Sequence, residues 1–180
     1  MSDRGDDLFE EELALTGRFV PGRMRSFSSG RVAAREALVR AGAPRCAIPM
    51  AADRAPAPPP GWRLSISHAD DIAVALACAD RDARGLGVDI ETVARMDPKL
   101  RRHVLGAHDR VPPEAGAERL TACFSLKESL FKALPDPNPE RLFVRWDGDA
   151  VEIGEQGSEH ALAYGWRRAG PHLVSVCILA

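Results

Sequence analysis

The order of periodic segments predicts an α+β fold. Three observations carry that expectation. Residues 28–44 and 118–134 have helical spacing, each is followed by runs of strand-like residues, and the strand runs are joined by short turns rather than by long crossovers.

The first helix is expected over "SSGRVAAREALVRAGAP", with Ser28 or Ser29 as its cap, Val32, Ala33, Leu38 and Val39 as an apolar stripe, and Gly42 and Pro44 at its end. "ADRAPAPPPGW" (52–62) reads as an extended, ordered loop, because proline fixes φ and removes backbone donors. "RLSISH" (63–68) and "IAVALAC" (72–78) read as adjacent strands around a turn, and "GLGVDIETV" (85–93) as a third. Residues 94–117 are charged and irregular, with a helix expected over "PKLRRHVL" and a loop through "VPPEAG". "ERLTACFSLKESLFKAL" (118–134) is the strongest helical pattern, and "PDPNP" (135–139) stops it. "RLFVRW", "AVEIG", "ALAYGWRR" and "HLVSVCILA" then read as strands. Helix, strands, helix, strands is the pattern of a single domain, 1–180, built of two similar halves at about 1–92 and 93–180.

Composition narrows the function classes. The chain has 180 residues, 45% of them hydrophobic, and a net charge of −2, so nothing global points to nucleic acid or to a membrane surface. No apolar run approaches the roughly 18 residues of a membrane span. "MSDRGDDLFEEEL" is acidic and lacks the apolar core of a secretory signal, so a cytoplasmic protein is expected. Cys46, Cys78, Cys123 and Cys177 form no C-x-x-C pair and read as small buried apolar residues in a reduced compartment.

The chemistry starts at "GLGVDIETV". Successive side chains of a strand point to opposite faces, so Asp89 and Glu91 share one. Two carboxylates roughly 6 Å apart repel by about 2–3 kcal/mol at an effective dielectric of ~20. On a solvated face that repulsion is small and the pair is ordinary; in a cleft it calls for a positive partner. In the second helix Glu128 and Lys132 are i and i+4 and share a face, with Lys127 about a third of a turn away. Alone, this is as readily a surface pair. Taken together, three hard oxygen donors beside two lysines suit Mg²⁺ against a pyrophosphate.

"GVDIE", followed some forty residues later by "FSLKESLFKAL", resembles the signature pair of the 4′-phosphopantetheinyl transferases, G-[IV]-D-x-E and [WF]-[ST]-x-K-E-[AS]-x-x-K; Phe124, Ser125, Lys127, Glu128, Ser129 and Lys132 meet the second. "LSISHADDIAVALA", "GRMRSFSSGRVAAREAL", "RAPAPPPG" and "YGWRR…LVSVCILA" resemble further segments of the enterobactin-synthase and surfactin type, the larger monomeric branch. The likeness covers most of the chain. It departs where "APPP" stands for a segment that often carries tryptophan, and "GAHDRVPPE" matches the branch only loosely.

The resemblance implies two similar α/β halves in a pseudo-dimeric fold and a monomeric enzyme. It implies transfer of the 4′-phosphopantetheine arm of coenzyme A to a serine of an apo acyl or peptidyl carrier protein, with release of adenosine 3′,5′-bisphosphate. Asp89, Glu91 and Glu128 would hold Mg²⁺, or Mn²⁺ in its place. Lys127 and Lys132 would steady the phosphates and, with Glu128, form the catalytic set. Arg23, Arg31, Arg54, Ser67 and His68 would bind coenzyme A, the arginines and His68 at its 3′-phosphate. Read from the residues alone, Arg31 and Arg35 also fit a solvated helix face, and His68 a hydrogen-bonded histidine at a strand end. Either Glu128 or a bound water could take the serine proton. Two other classes use the same residues: a Mg²⁺-dependent nucleotide hydrolase, disfavoured by the lack of a G-x-x-x-x-G-K-[ST] loop, and a non-catalytic coenzyme A or carrier-protein binding module.

Overall fold

The computed structural model describes residues 7–51 and 54–180. Ala52 and Asp53 of the proline-rich loop and residues 1–6 of the acidic N-terminus lie outside the described residues. The architecture is α+β, and the chain divides into two compact units, Met1–Ala83 and Arg84–Ala180.

The first unit contains α1 (Glu10–Leu13), α2 (Pro21–Ala41) and the antiparallel hairpin β1 (Trp62–Ala69) and β2 (Ile72–Ala79). Asp70 makes the tight turn between the strands with φ 52°, a left-handed conformation that Asp tolerates. Leu64 and Ile66, two apart on β1, pack with Ala34 and Leu38 of α2 and with Ile48. α2 runs antiparallel to β1, since Gly42 lies beside Trp62 and Gly30 beside Ile66. The helix begins at Pro21, earlier than the expected cap at Ser28 or Ser29. Proline at the first helical position has a preset φ and no N–H to leave unsatisfied. Ser28 is buried inside the helix, and Ser29 Oγ bonds back to the Arg25 carbonyl at 2.8 Å. Gly42 closes the helix with φ 101°, its N–H reaching the Leu38 and Val39 carbonyls, as the sequence predicts.

Glu12 fastens α1 to this unit. Its side chain is fully buried, takes Arg35 Nη1 on both oxygens at 2.7 Å, and accepts from Ile48 N at 2.9 Å and Phe9 N at 3.0 Å. A buried carboxylate is tolerated because these donors satisfy it.

The second unit contains β3 (Gly85–Thr92), α3 (Arg101–Val104), α4 (Ala117–Ala133), β4 (Leu142–Asp147), β5 (Ala150–Glu155), β6 (Leu162–Ala169) and β7 (His172–Leu179). β3, β7 and β6 form an antiparallel sheet in that order, and β4 pairs with β5. β3 belongs here because it pairs along its whole length with β7, from Gly85 opposite Leu179 to Thr92 opposite His172. The four terminal strands match expectation. "PKLRRHVL" forms a 3₁₀ turn, Pro98–Leu100, and the single turn of α3 rather than a continuous helix. Leu126, Leu130 and Cys123 of α4 are fully buried with Val144 and Cys177; a buried leucine contributes roughly 1.5–3 kcal/mol. Cys123 and Cys177 are buried as expected, while Cys46 and Cys78 are only partly so, and all four are free.

Candidate active site

The site in the second unit follows from how α4 meets β3. Residues 85, 87, 89 and 91 alternate onto one face of the strand. A Cβ on Gly85 would lie 1.8 Å from the Ala133 carbonyl oxygen, and one on Gly87 1.7 Å from that of Ser129. Only the absence of these side chains lets the α4 backbone rest on the strand. Ser175, opposite Asp89 on β7 and on the same face, ties the sheet to α4 from the neighbouring strand: its hydroxyl bonds the Ser125 carbonyl at 2.7 Å and lies 2.8 Å from Ser125 Oγ.

That close approach delivers Lys132 to the acids. Its ammonium donates to Asp89 Oδ1 at 2.9 Å and to the Val88 carbonyl at 3.0 Å. Asp89 is buried, and Glu91 is partly so. Burial, then the charges of Asp89 and Glu128, push the Glu91 carboxyl up to about 7, against the opposing pull of Lys132 and Arg95. Burial and Asp89 raise Glu128 as well, with Lys132 opposing. The structure therefore couples the three sequence-predicted acids to one another and to Lys132. They do not converge on a point: among the described residues no group of three or more Asp, Glu, His or Cys side chains has metal-holding geometry. In charge and donor type the set fits a hard divalent cation, because it gathers more negative charge than Lys132 offsets.

The raised carboxyl has a measurable sign. Folded Glu91 keeps its proton to higher pH than the unfolded chain does, so stability present near pH 4 is lost as pH rises from the ordinary 4.5 to about 7. Glu91→Gln should remove that loss. The expected gain is on the order of 2 kcal/mol at pH 8, after allowance for solvent screening, and little at pH 4. Urea midpoints at the two pH values check it.

Lys127 is brought elsewhere. Its ammonium donates to Asp109 Oδ2 and to the Val104 carbonyl, each at 2.7 Å. Asp109 is a residue that the sequence reading does not single out. It is buried, and it also accepts from Gly106 N and Val144 N at 2.6 Å each, fixing segment 104–111 to β4 and α4. Lys127 and Glu128 together line a cavity of about 270 Å³, whose other walls include His103, Phe124, Phe131 and Leu142.

The first unit holds the expected coenzyme A residues. Arg31 and Arg35 are both buried, which corrects the solvated-face alternative. Arg35 is consumed by Glu12. Arg31 has no carboxylate partner among the described residues, and its Nε is buried without a hydrogen bond. Burial pulls its pKa down, Glu12 opposes, and Arg35 and Arg23 add to the fall. Arg23 is exposed two turns earlier on α2. His68 follows Ile66 on the α2-facing side of β1, and the antiparallel run of α2 puts it level with that helix's N-terminal half. Ser67 is buried on the opposite face of β1. Arg54 is exposed in the proline-rich loop with φ 71°.

Two family models match this chain in tandem. Residues 10–78 match the 4′-phosphopantetheinyl transferase N-terminal domain, and residues 85–166 match the 4′-phosphopantetheinyl transferase superfamily. The chain belongs to the 4′-phosphopantetheinyl transferase superfamily. The two matches fall one in each compact unit. A curated relative, the 4′-phosphopantetheinyl transferase Svp of Streptomyces mobaraensis, is 34% identical over 144 compared residues, a match that covers 73% of this chain and 58% of the relative. The chain thus spans 58% of that relative's length. Among solved structures, a holo-(acyl-carrier-protein) synthase from Bacillus anthracis str. Ames in complex with CoA (3′,5′-ADP) is 17% identical, with TM-score 0.43, over 54% of this chain and 96% of that one. The holo-[acyl-carrier-protein] synthase of Neisseria meningitidis is 16% identical, with TM-score 0.41, over 54% and 98%.

Proposed function

We propose that the protein transfers the 4′-phosphopantetheine arm of coenzyme A to a serine hydroxyl of an apo acyl or peptidyl carrier protein. The observation that carries this reading is the set of three mutually coupled carboxylates, Asp89, Glu91 and Glu128, with Lys132 bonded to Asp89. Asp89, Glu91 and Glu128 would hold Mg²⁺, with Mn²⁺ as substitute, and the ion would offset charge on the pyrophosphate. Lys132 sits where it can pair with a phosphate oxygen. Lys127 has one N–H left beyond Asp109 and Val104, and that N–H can do the same. The serine oxygen attacks the β-phosphorus, the bond to the α-phosphate oxygen breaks, and adenosine 3′,5′-bisphosphate leaves. Either Glu128 or a water beside it would accept the serine proton. Arg31, Arg23 and His68 grip the 3′-phosphate, with Ser67 and Arg54 as further contacts. The protein would act as a monomer, and its free thiols fit a reducing cytoplasm.

Intact-mass analysis of an apo carrier protein incubated with the protein, coenzyme A and Mg²⁺ tests the reading. A gain of one phosphopantetheine supports it. Hydrolysis of coenzyme A without that gain, or binding alone, overturns it.

Arg31→Ala and His68→Ala should weaken coenzyme A binding while leaving the transfer step intact. Loss of one charge-assisted bond corresponds to about 10- to 150-fold in affinity. The control is dephospho-coenzyme A: variants that discriminate against it as strongly as wild type place the contact elsewhere.

A further inference from the structure

α2 buries two arginines one turn apart and offsets their charges in different ways. Arg35 is neutralised by Glu12 at 2.7 Å through Nη1, and Nη2 donates to the Asp7 carbonyl, so both of its terminal nitrogens are engaged. Arg31 has no such anion. Its guanidinium carbon instead stands 4.4 Å from the centroid of the Phe27 ring. Phe27 lies one turn before Arg31 on the same helix face, and it is itself buried. Phe19 packs edge-on against it, with centroids 5.3 Å apart and planes at 73°, which fixes the ring's orientation.

A carboxylate and an aromatic face both stabilise a guanidinium, with opposite consequences for binding. The carboxylate takes the N–H groups. The ring's negative π face attracts the cation from above and takes none of them. Among the described residues no acceptor takes the Arg31 donors; its Nε is buried and unbonded, so it is the terminal N–H groups that are left for an outside anion. The same pairing recurs more loosely on either side, with Arg23 5.5 Å over Phe19 and Arg35 5.1 Å over Phe9.

We propose that Phe27 is a positioning residue for coenzyme A recognition: its ring holds the buried Arg31 guanidinium in place and leaves that group's N–H edge open to the 3′-phosphate. The proposal rests on the phosphate role of Arg31 given above. It makes ring electronics at position 27 a determinant of affinity for the 3′-phosphorylated substrate.

The test is transfer kinetics of the full chain with an apo carrier protein, Mg²⁺, and either coenzyme A or dephospho-coenzyme A. Phe27 is replaced by phenylalanines carrying one, two and three ring fluorines, which drain the π face at nearly constant shape, and by Leu in Phe27→Leu. The expected result is a stepwise rise in KM for coenzyme A, reaching between about 2- and 30-fold. kcat and the KM for dephospho-coenzyme A should stay level, and Phe27→Tyr should retain the wild-type ratio. A flat KM for coenzyme A across the fluorinated series overturns the proposal even where Arg31→Ala abolishes the preference for coenzyme A. An equal rise for both substrates marks general packing and also overturns it. If Arg31→Ala leaves the preference intact, the phosphate reading beneath the proposal falls, and the proposal with it.

Discussion

Asp89→Ala and Glu128→Ala should each yield a folded protein whose transfer rate is lower by about 100- to 1000-fold, the range seen when one electrostatic contact to a developing charge is deleted. Folding should survive, because both side chains stand in a crowd of like charge: Glu91 reaches about 7 in part because these two acids repel it. Removing one relieves that repulsion. Lys132, which loses its 2.9 Å partner in Asp89→Ala, is itself partly exposed and can turn to water. Circular dichroism checks the fold, and a Mg²⁺ titration of the melting temperature reads cation binding independently of turnover. Near-wild-type transfer by either folded variant would sink the assignment. Glu128→Gln divides the two roles of that residue, since an amide oxygen can still face a cation but takes no proton at neutral pH. A fall of about 100-fold with unchanged cation and coenzyme A affinity assigns the base to Glu128; an undiminished rate means that the proton leaves through water.

The residues most legible in the sequence are those whose role follows from local periodicity. The two-residue repeat of a strand puts Asp89 and Glu91 on one face, and the i, i+4 spacing of a helix puts Glu128 beside Lys132. The structure adds the glycines before them, because what Gly85 and Gly87 avoid is a backbone forty or more residues away. The same limit hides Glu12. Three consecutive acids in a polar N-terminus carry no sign of burial, and the partner that buries one of them is Arg35, 23 positions on. Asp109 is equally silent, since "GAHDR" has no periodicity and its three donors come from Gly106, Lys127 and Val144. Pro21 is a different case. Proline at the first helical position is a readable start signal, and the serines further along compete with it as caps.

Gly87→Ala should be the most damaging single-atom change in the second unit. The glycine does not occupy a left-handed conformation, so the argument is one of space. The added Cβ would lie 1.7 Å from the Ser129 oxygen, 2.6 Å from its carbonyl carbon and 3.1 Å from Ala133 N. All three are helix backbone, so no rotamer change can clear them, and α4 must shift bodily from β3. α4 also packs Leu126 and Leu130 into the core, so the shift opens voids where it relieves the clash. A cost of about 3 kcal/mol lowers the melting temperature of a chain this size by roughly 6–12 °C. The catalytic consequence is separate. α4 carries Glu128 and Lys132, and moving it by about an ångström draws Lys132 away from Asp89, a displacement worth on the order of 100-fold in rate at temperatures where the variant is still folded. Gly165→Ala is the matched control: it lies in β6, a Cβ added there would meet no atom within 4 Å, and stability should change by no more than about 0.5 kcal/mol. If Gly87→Ala melts and transfers like Gly165→Ala, α4 does not rest on the strand as closely as the geometry requires, and the placement of Lys132 against Asp89 loses its physical cause.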